Sequence, residues 1–168
     1  IGCGKGEYSL ALAKRHPECN IIGIDIKGDR IWKGAKAAMQ LGLDNLAFLR
    51  IQAERLPWFF APAEVADIWI TFPDPQLRES RRKKRLTSPQ FLKRYAEILK
   101  DNGKLRLKTD SERLYDYTLE TISESGHVIH FKTTDLYQES PPPDPLILEI
   151  KTHYESMFLK QGKPIFYL

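Results

Sequence analysis

The chain has 168 residues, 42% of them apolar and 29% charged, which suits one domain around one hydrophobic core. No apolar run approaches the ~20 residues that a membrane helix needs, no secretory leader pattern is visible, and two cysteines, Cys3 and Cys19, make no disulfide framework. A reducing, cytoplasmic setting away from membranes is the expectation.

The first residues, Ile1-Gly2-Cys3-Gly4-Lys5-Gly6, already form a glycine loop of the kind that follows a strand. An N-terminal segment with most of a first strand is therefore expected before Ile1, and residues 1–168 are expected to make a single domain. Gly6 to His16 reads as a helix stopped by Pro17, and Ile21 to Ile24 as a buried strand. Ile31, Ala35, Ala38 and Met39 fall on one face of a second helix, ended by Gly42. Leu46 to Ile51 and Ala66 to Phe72 are further strands, the latter running into Pro73-Asp74-Pro75. Ser88 should cap a helix with Pro89 in its first turn and Asn102-Gly103 at its end.

Lys104 to Thr109 alternates polar and apolar residues, the pattern of a half-exposed strand. Leu114, Thr118, Thr121 and Ile122 give the next helix its inner face, and Val128 to Phe131 reads as a strand. A proline loop from Pro141 to Pro145, a short helix near Tyr154 to Lys160 and a strand from Pro164 to Leu168 complete the chain. Alternating strands and helices predict an α/β fold, a mostly parallel sheet with helices on both faces.

The glycine loop reads G-x-G-x-G. The dinucleotide fingerprint sets its third glycine one place later, where this chain has Glu7. A carboxylate at a helix start repels a pyrophosphate but not S-adenosylmethionine, which has no phosphate. Gly2, Gly4 and Gly6 are thus candidate cofactor residues; the plainer alternative is a turn between strand and helix. Asp25, at the end of the second expected strand, is placed to accept hydrogen bonds from both ribose hydroxyls, or else to cap the turn that follows. Gln52-Ala53-Glu54 ends the third expected strand, where an amide can meet adenine.

Asp74 sits where ligands of open α/β sheets bind, beyond a strand's carboxyl end, and its flanking prolines stiffen the loop. Asp-Pro is also an ordinary turn signal. The stretch Arg78-Glu79-Ser80-Arg81-Arg82-Lys83-Lys84-Arg85 follows, with six positive charges and one negative, against a net +4 for the chain, so the remainder nets −1. Such a segment is either a solvated charge run or a contact for nucleic-acid phosphates through Arg81, Arg82, Lys83, Lys84 and Arg85. The four histidines are scattered and no Cys/His pairing has zinc-site spacing, so no metal is expected.

Together with Gly23-Ile24-Asp25-Ile26, Arg85-Leu86-Thr87, Lys108-Thr109-Asp110 and Thr152-His153-Tyr154-Glu155, these motifs resemble, in order and spacing, the tRNA (guanine-N7)-methyltransferase family over nearly all of the chain. The resemblance implies a Rossmann-like methyltransferase fold with a seven-stranded sheet whose last strand is antiparallel. It implies S-adenosyl-L-methionine as cofactor and a guanine of the tRNA variable loop as methyl acceptor. Asp25 would bind ribose, Gln52 and Ala53 would lie by adenine, and Asp74, against the cofactor, would be the central catalytic or substrate-orienting acid. Arg78, Asp110, Thr152, His153, Tyr154 and Glu155 would contact the target nucleotide. From the residues alone, Asp110 reads equally as a helix N-cap, and Glu155 as a solvent-facing helix position.

The sequence departs from the family pattern in having Gln76 where Trp is usual, Arg78 where Lys is usual, and Gln52 where Asp or Asn is usual. The acidic residue usual before the glycine loop would precede Ile1. Three other readings stay open. Methylation of another RNA or DNA base is one, although the Pro-Pro-aromatic ending of exocyclic-amine enzymes is absent. A nicotinamide oxidoreductase is disfavoured by Glu7. A non-enzymatic RNA-binding module leaves the glycine loop and Asp25 unexplained. Either a monomer or a homodimer is compatible with the sequence.

Overall fold

In a computed structural model, which describes residues 1–139 and 142–168, Gly6 adopts a left-handed conformation (φ 79°) and turns the glycine loop into helix α1 (Glu7–Arg15). Strand β1 (Ile21–Asp25), helix α2 (Gly28–Gln40) and strand β2 (Leu46–Arg50) follow. β1 and β2 are parallel and in register from Ile21↔Leu46 to Asp25↔Arg50, so their carboxyl ends lie side by side. The buried face of α2 is centred on Gly34 and Ala38, and Met39 is 83% exposed, contrary to the periodicity. The reason is close packing. A Cβ at Gly34 would lie 2.8 Å from both the Lys5 carbonyl and the Phe48 ring. Only small residues let the helix approach so closely, and this rotates Met39 outward.

A 3₁₀ turn (Ala53–Trp58) leads to strand β3 (Val65–Thr71), and a second (Glu79–Lys84) to helix α3 (Pro89–Ile98). Ser88 is the N-cap of α3, but its hydroxyl donates to the Lys83 carbonyl (3.2 Å) instead of capping. Helix α3 stops at Ile98, before Asn102-Gly103. That pair lies within strand β4 (Leu99–Thr109), at a bulge where the pairing with β3 jumps from Val65↔Leu99 to Asp67↔Lys104. Asn102 takes φ 62° there, and a Cβ on Gly103 would lie 2.8 Å from the Lys100 carbonyl.

Helix α4 (Glu112–Ser125) buries Leu114, Thr118, Thr121 and Ile122, as the spacing predicts. Its N-cap is Ser111, whose hydroxyl accepts from the Leu114 amide at 3.3 Å, so Asp110 is not the cap. Val128–Phe131 forms no strand. Val128 is largely exposed, and the chain pairs again only at Thr133, in an isolated bridge to Tyr167. Pro141 lies outside the described residues. Helices α5 (Leu146–Glu149) and α6 (His153–Lys160) precede strand β5 (Phe166–Tyr167), antiparallel to β4.

Among the described residues the strands form two sheets, β1-β2 and β3-β4-β5. Residues 1–3 run between them: the Ile1 nitrogen donates to the Trp69 carbonyl (2.7 Å) and the Cys3 amide to the Ile24 carbonyl (2.9 Å). Strand β3 shows two covered faces. Ile68 and Ile70 pack with α3 and α4, whereas Trp69 packs with Tyr8 and Leu12 of α1. No helix among the described residues is long and apolar enough to cross a membrane.

Candidate active site

Of the sequence-predicted site residues, Asp25, Gln52, Ala53, Asp74 and Asp110 lie at or just beyond the carboxyl end of a strand, and Gly2, Gly4 and Gly6 form the glycine loop beside β1; Arg78 to Arg85 lie farther along, in and around the second 3₁₀ turn. Gly2 and Gly4 have φ of 71° and 56°, and a Cβ on either would meet nothing within 4 Å. The loop therefore walls an open space. Gly6 is required for the opposite reason, since a Cβ there would lie 2.6 Å from Phe48. The Asp25 carboxylate accepts from the Gly4 amide at 2.8 Å and from the Ile26 and Lys27 amides at 2.7 and 3.0 Å. It thus caps its own turn and also ties the glycine loop to β1. An ionised carboxylate has about four acceptor positions, so capacity remains on this partly exposed group. Burial pushes the Cys3 thiol up to about 11, so it is a neutral wall and not a thiolate nucleophile.

Gln52 and Ala53 follow the end of β2, on the same edge as Asp25. Gln52 is exposed and Ala53 buried. Arg50 donates to the Ile26 carbonyl at 3.2 Å and steadies the turn after Asp25, a role no local pattern announces.

The Asp74 loop is held by β4. Thr71 pairs with Lys108, and the Phe72 amide donates to the Lys108 carbonyl at 2.8 Å. Phe72 and Gln76 then take φ of 50° and 47°, a conformation that bulky residues rarely adopt. Backbone strain of this kind gathers at functional sites. Between them Asp74 is exposed, and its Oδ1 accepts from the Gln76 amide at 3.0 Å. The Gln76 carbonyl accepts from Arg85 Nε at 3.3 Å. Gln76 therefore serves the loop through its backbone.

Helix α6 begins with a capping box. Thr152 Oγ1 accepts from the Glu155 amide at 3.1 Å, and Glu155 Oε2 accepts from the Thr152 amide at 3.4 Å. Glu155 is 0% exposed. Its Oε1 lies 2.6 Å from Lys108 Nζ and accepts from the Tyr137 hydroxyl at 2.8 Å. Lys108, also 0% exposed, donates to the carbonyls of Ile147 and Ile150 at 2.6 and 3.2 Å. Burial pushes the Lys108 ammonium below the ordinary lysine range, and the Glu155 carboxylate opposes that shift.

Two expectations are overturned here. Glu155 does not face solvent, and its carboxylate oxygens are engaged inside the protein rather than presented to a nucleotide. The polar face of β4 is not half-exposed at its end, because Lys108 has a buried counter-ion. Thr152 is likewise buried, with its hydroxyl spent on the cap. His153 and Tyr154 remain exposed. Tyr154 stacks on Phe158 (6.4 Å between centroids), and Phe158 meets Phe72 (5.8 Å). At the other end of the motif Glu7 accepts from the His153 amide at 2.7 Å, docking α6 onto the start of α1. Asp110 stays partly exposed at the end of β4, 3.6 Å from Lys163 Nζ. Tyr137 and Lys163 complete the surroundings of the site, and the sequence reading assigned neither a place in it; Glu7 was read only against a pyrophosphate, and Lys108 only as part of a motif.

The basic segment divides in two. Arg85 is only 3% exposed, with its guanidinium over the Tyr117 ring at 4.3 Å and 4.0 Å from Glu79. Arg85 is therefore a structural cation and not a phosphate contact, because α4 covers it. Arg82 also lies over Tyr117 (5.2 Å) and pairs with Glu79 (3.7 Å), although it is exposed. Arg78, Arg81, Lys83 and Lys84 are exposed. His16, Glu18 and Cys19 bring donor atoms within 4.8 Å of one another before β1, at the end opposite Asp25.

Comparison with known proteins agrees with this arrangement. A family model described as "Putative methyltransferase" matches residues 1–168. A curated tRNA (guanine-N(7)-)-methyltransferase of Christiangramia forsetii is 49% identical over 168 residues, covering 100% of this chain and 75% of that protein. A relative of the same name from Porphyromonas gingivalis is also 49% identical, over 100% of this chain and 68% of that one. Among solved structures, an antibiotic-related methyltransferase superposes with a TM-score of 0.66 over 99% of this chain and 82% of its own, at 19% identity. A SAM-dependent methyltransferase from Aquifex aeolicus gives 0.56 over 99% and 77%, also at 19% identity. At such identities the structures establish the Rossmann-like methyltransferase fold alone, and the matches over the whole of this chain go further: the chain belongs to the tRNA (guanine-N7)-methyltransferase family.

Proposed function

We propose that this protein transfers the methyl group of S-adenosylmethionine to N7 of a guanine in the variable loop of tRNA. The observation that carries the reading is the convergence, in a chain of this family, of the glycine loop, Asp25, the Asp74 loop and Asp110 on strand carboxyl ends. In this reading the two sheets are parts of one seven-stranded sheet, continuous across the gap that residues 1–3 span. The protein acts where its tRNA is, in the cytoplasm.

The residues present suit the cofactor. The space over Gly2 and Gly4 admits its ribose and methionine portion, Asp25 has acceptor capacity for ribose, and Gln52 and Ala53 flank adenine. When bound, S-adenosylmethionine supplies an electrophilic methyl group on a sulfonium. Guanine N7 has an exposed lone pair and no proton to lose, so the chain needs no general base. Its residues orient the base, and the fixed carboxylate of Asp74 stabilises the positive charge that the base acquires. N7 lies on the major-groove edge, which is deep and narrow in A-form RNA. The target is therefore a splayed or loop nucleotide, and exposed Tyr154 is available to stack on it.

Arg78, Arg81, Lys83 and Lys84 meet tRNA phosphates. Replacing Arg81, Lys83 and Lys84 by Gln is expected to weaken tRNA binding and to flatten its log Kd–log salt slope by about 2–3. Thermal stability should hold, because all three side chains are exposed. An unchanged slope places the phosphate contacts elsewhere. The reaction itself is tested with labelled S-adenosylmethionine and unmodified bulk tRNA, followed by nucleoside analysis. Label in 7-methylguanosine is expected. Label in another nucleoside keeps the methyltransferase and discards the guanine-N7 reading; no label despite measurable cofactor binding points to another substrate class.

A further inference from the structure

Lys163 owes its place to the end of α6. The helix terminates at Gln161, and Gly162 follows at φ 69°. The Lys163 amide donates to the Phe158 carbonyl (3.1 Å) and the Gly162 amide to the Leu159 carbonyl (3.0 Å). That is the paired closure of a helix through a left-handed glycine, and it fixes the Lys163 backbone. The side chain crosses the Phe158 ring (4.7 Å from Nζ to centroid) and ends 3.6 Å from Asp110 Oδ2. At that distance the two groups attract without a tight hydrogen bond. Their side chains remain 47% and 25% exposed, so each can take a further partner. Phe158 in turn touches Phe72, two residues from Asp74.

We infer that Lys163 is a specificity-determining residue for the target base, donating to guanine O6 while Asp110 accepts from N1–H. This rests on the guanine-N7 reading above. Guanine carries O6, an acceptor, beside N1–H, a donor. The Lys163–Asp110 pair offers a donor beside an acceptor and is complementary to both. Adenine reverses the order, with an amino donor beside an N1 acceptor, so it meets a cation with its donor and a carboxylate with its lone pair. Sites built to hydrogen-bond a polar group reject the analogue that lacks it far more strongly than apolar pockets reject a methylene. The contact leaves the N7 lone pair free.

Two tRNA transcripts test this, one with guanosine at the target and one with 2-aminopurine, which lacks O6 and N1–H. Each is measured with the full protein as substrate and as competitive inhibitor of bulk tRNA methylation. The wild type is expected to prefer the guanosine transcript. Lys163→Met should weaken that transcript roughly 10- to 100-fold, and the 2-aminopurine transcript by no more than about twofold. Lys163→Arg, which keeps a charged donor, should restore much of the preference. Equal loss on both transcripts, or no loss on guanosine, overturns the assignment and leaves Lys163 an ion-pair partner of Asp110. Wild-type protein that forms no 7-methylguanosine overturns the parent reading, a distinct result.

Discussion

Asp74→Ala is expected to lower the methylation rate by about 10²–10³-fold, the scale of losing one preorganised electrostatic contact to a developing charge. Cofactor binding should survive, because the glycine loop and Asp25 are tied together without it. The prediction rests on geometry. Asp74 is exposed at the end of β3, between two residues at positive φ, and its carboxylate is steadied by the Gln76 amide. A side chain needed only for that turn would be largely replaced by Asn, which keeps the amide acceptor. A side chain needed for its charge would not. Single-turnover methylation of tRNA, with calorimetric titration of the cofactor, separates the two. Near wild-type turnover in Asp74→Ala removes Asp74 from the centre of the reaction.

Glu155→Ala is expected to destabilise the protein by about 3–5 kcal/mol, because removing one partner leaves the other charge buried and uncompensated. For a chain of this size that is a fall in Tm of roughly 10 °C or more. The Lys108 ammonium would keep the carbonyls of Ile147 and Ile150 and the face of Tyr8, and the capping box of α6 would lose the half that the carboxylate supplies. Lys108→Met combined with Glu155→Leu should recover much of the loss, since replacing a buried ion pair by apolar side chains is often neutral or stabilising. Thermal unfolding of the single and double variants gives the answer. A Glu155→Ala protein as stable as wild type would mean that the pair is solvated in solution. Loss of activity in Glu155→Ala without loss of stability would return Glu155 to the substrate side of the site.

Features carried by local chemistry were legible in the chain. The order of strands and helices as far as α4 follows from apolar periodicity, and the inner face of α4 lies where Leu114, Thr118, Thr121 and Ile122 place it. Gly6 and Gly2 mark left-handed turns that other residues resist, and Asp25 stands at a strand end. The motifs of the Asp74 loop and of α6 were visible as text, because they recur in a known order.

Packing between distant elements settled which side chains those elements cover. Met39 and Ala38 are equally good apolar positions until Phe48 and the glycine loop crowd Gly34 and rotate α2. Arg85 looks like its basic neighbours until Tyr117 of α4 closes over it. Lys108 and Glu155 look like surface residues on a strand and a helix. They become a buried pair because β4 and α6, distant in the chain, pack together and bring Ile147, Ile150 and Tyr137 around them. Periodicity reports the environment averaged along one element. The fate of a charge depends on its few nearest atoms, and in this protein the deciding ones come from elsewhere in the chain.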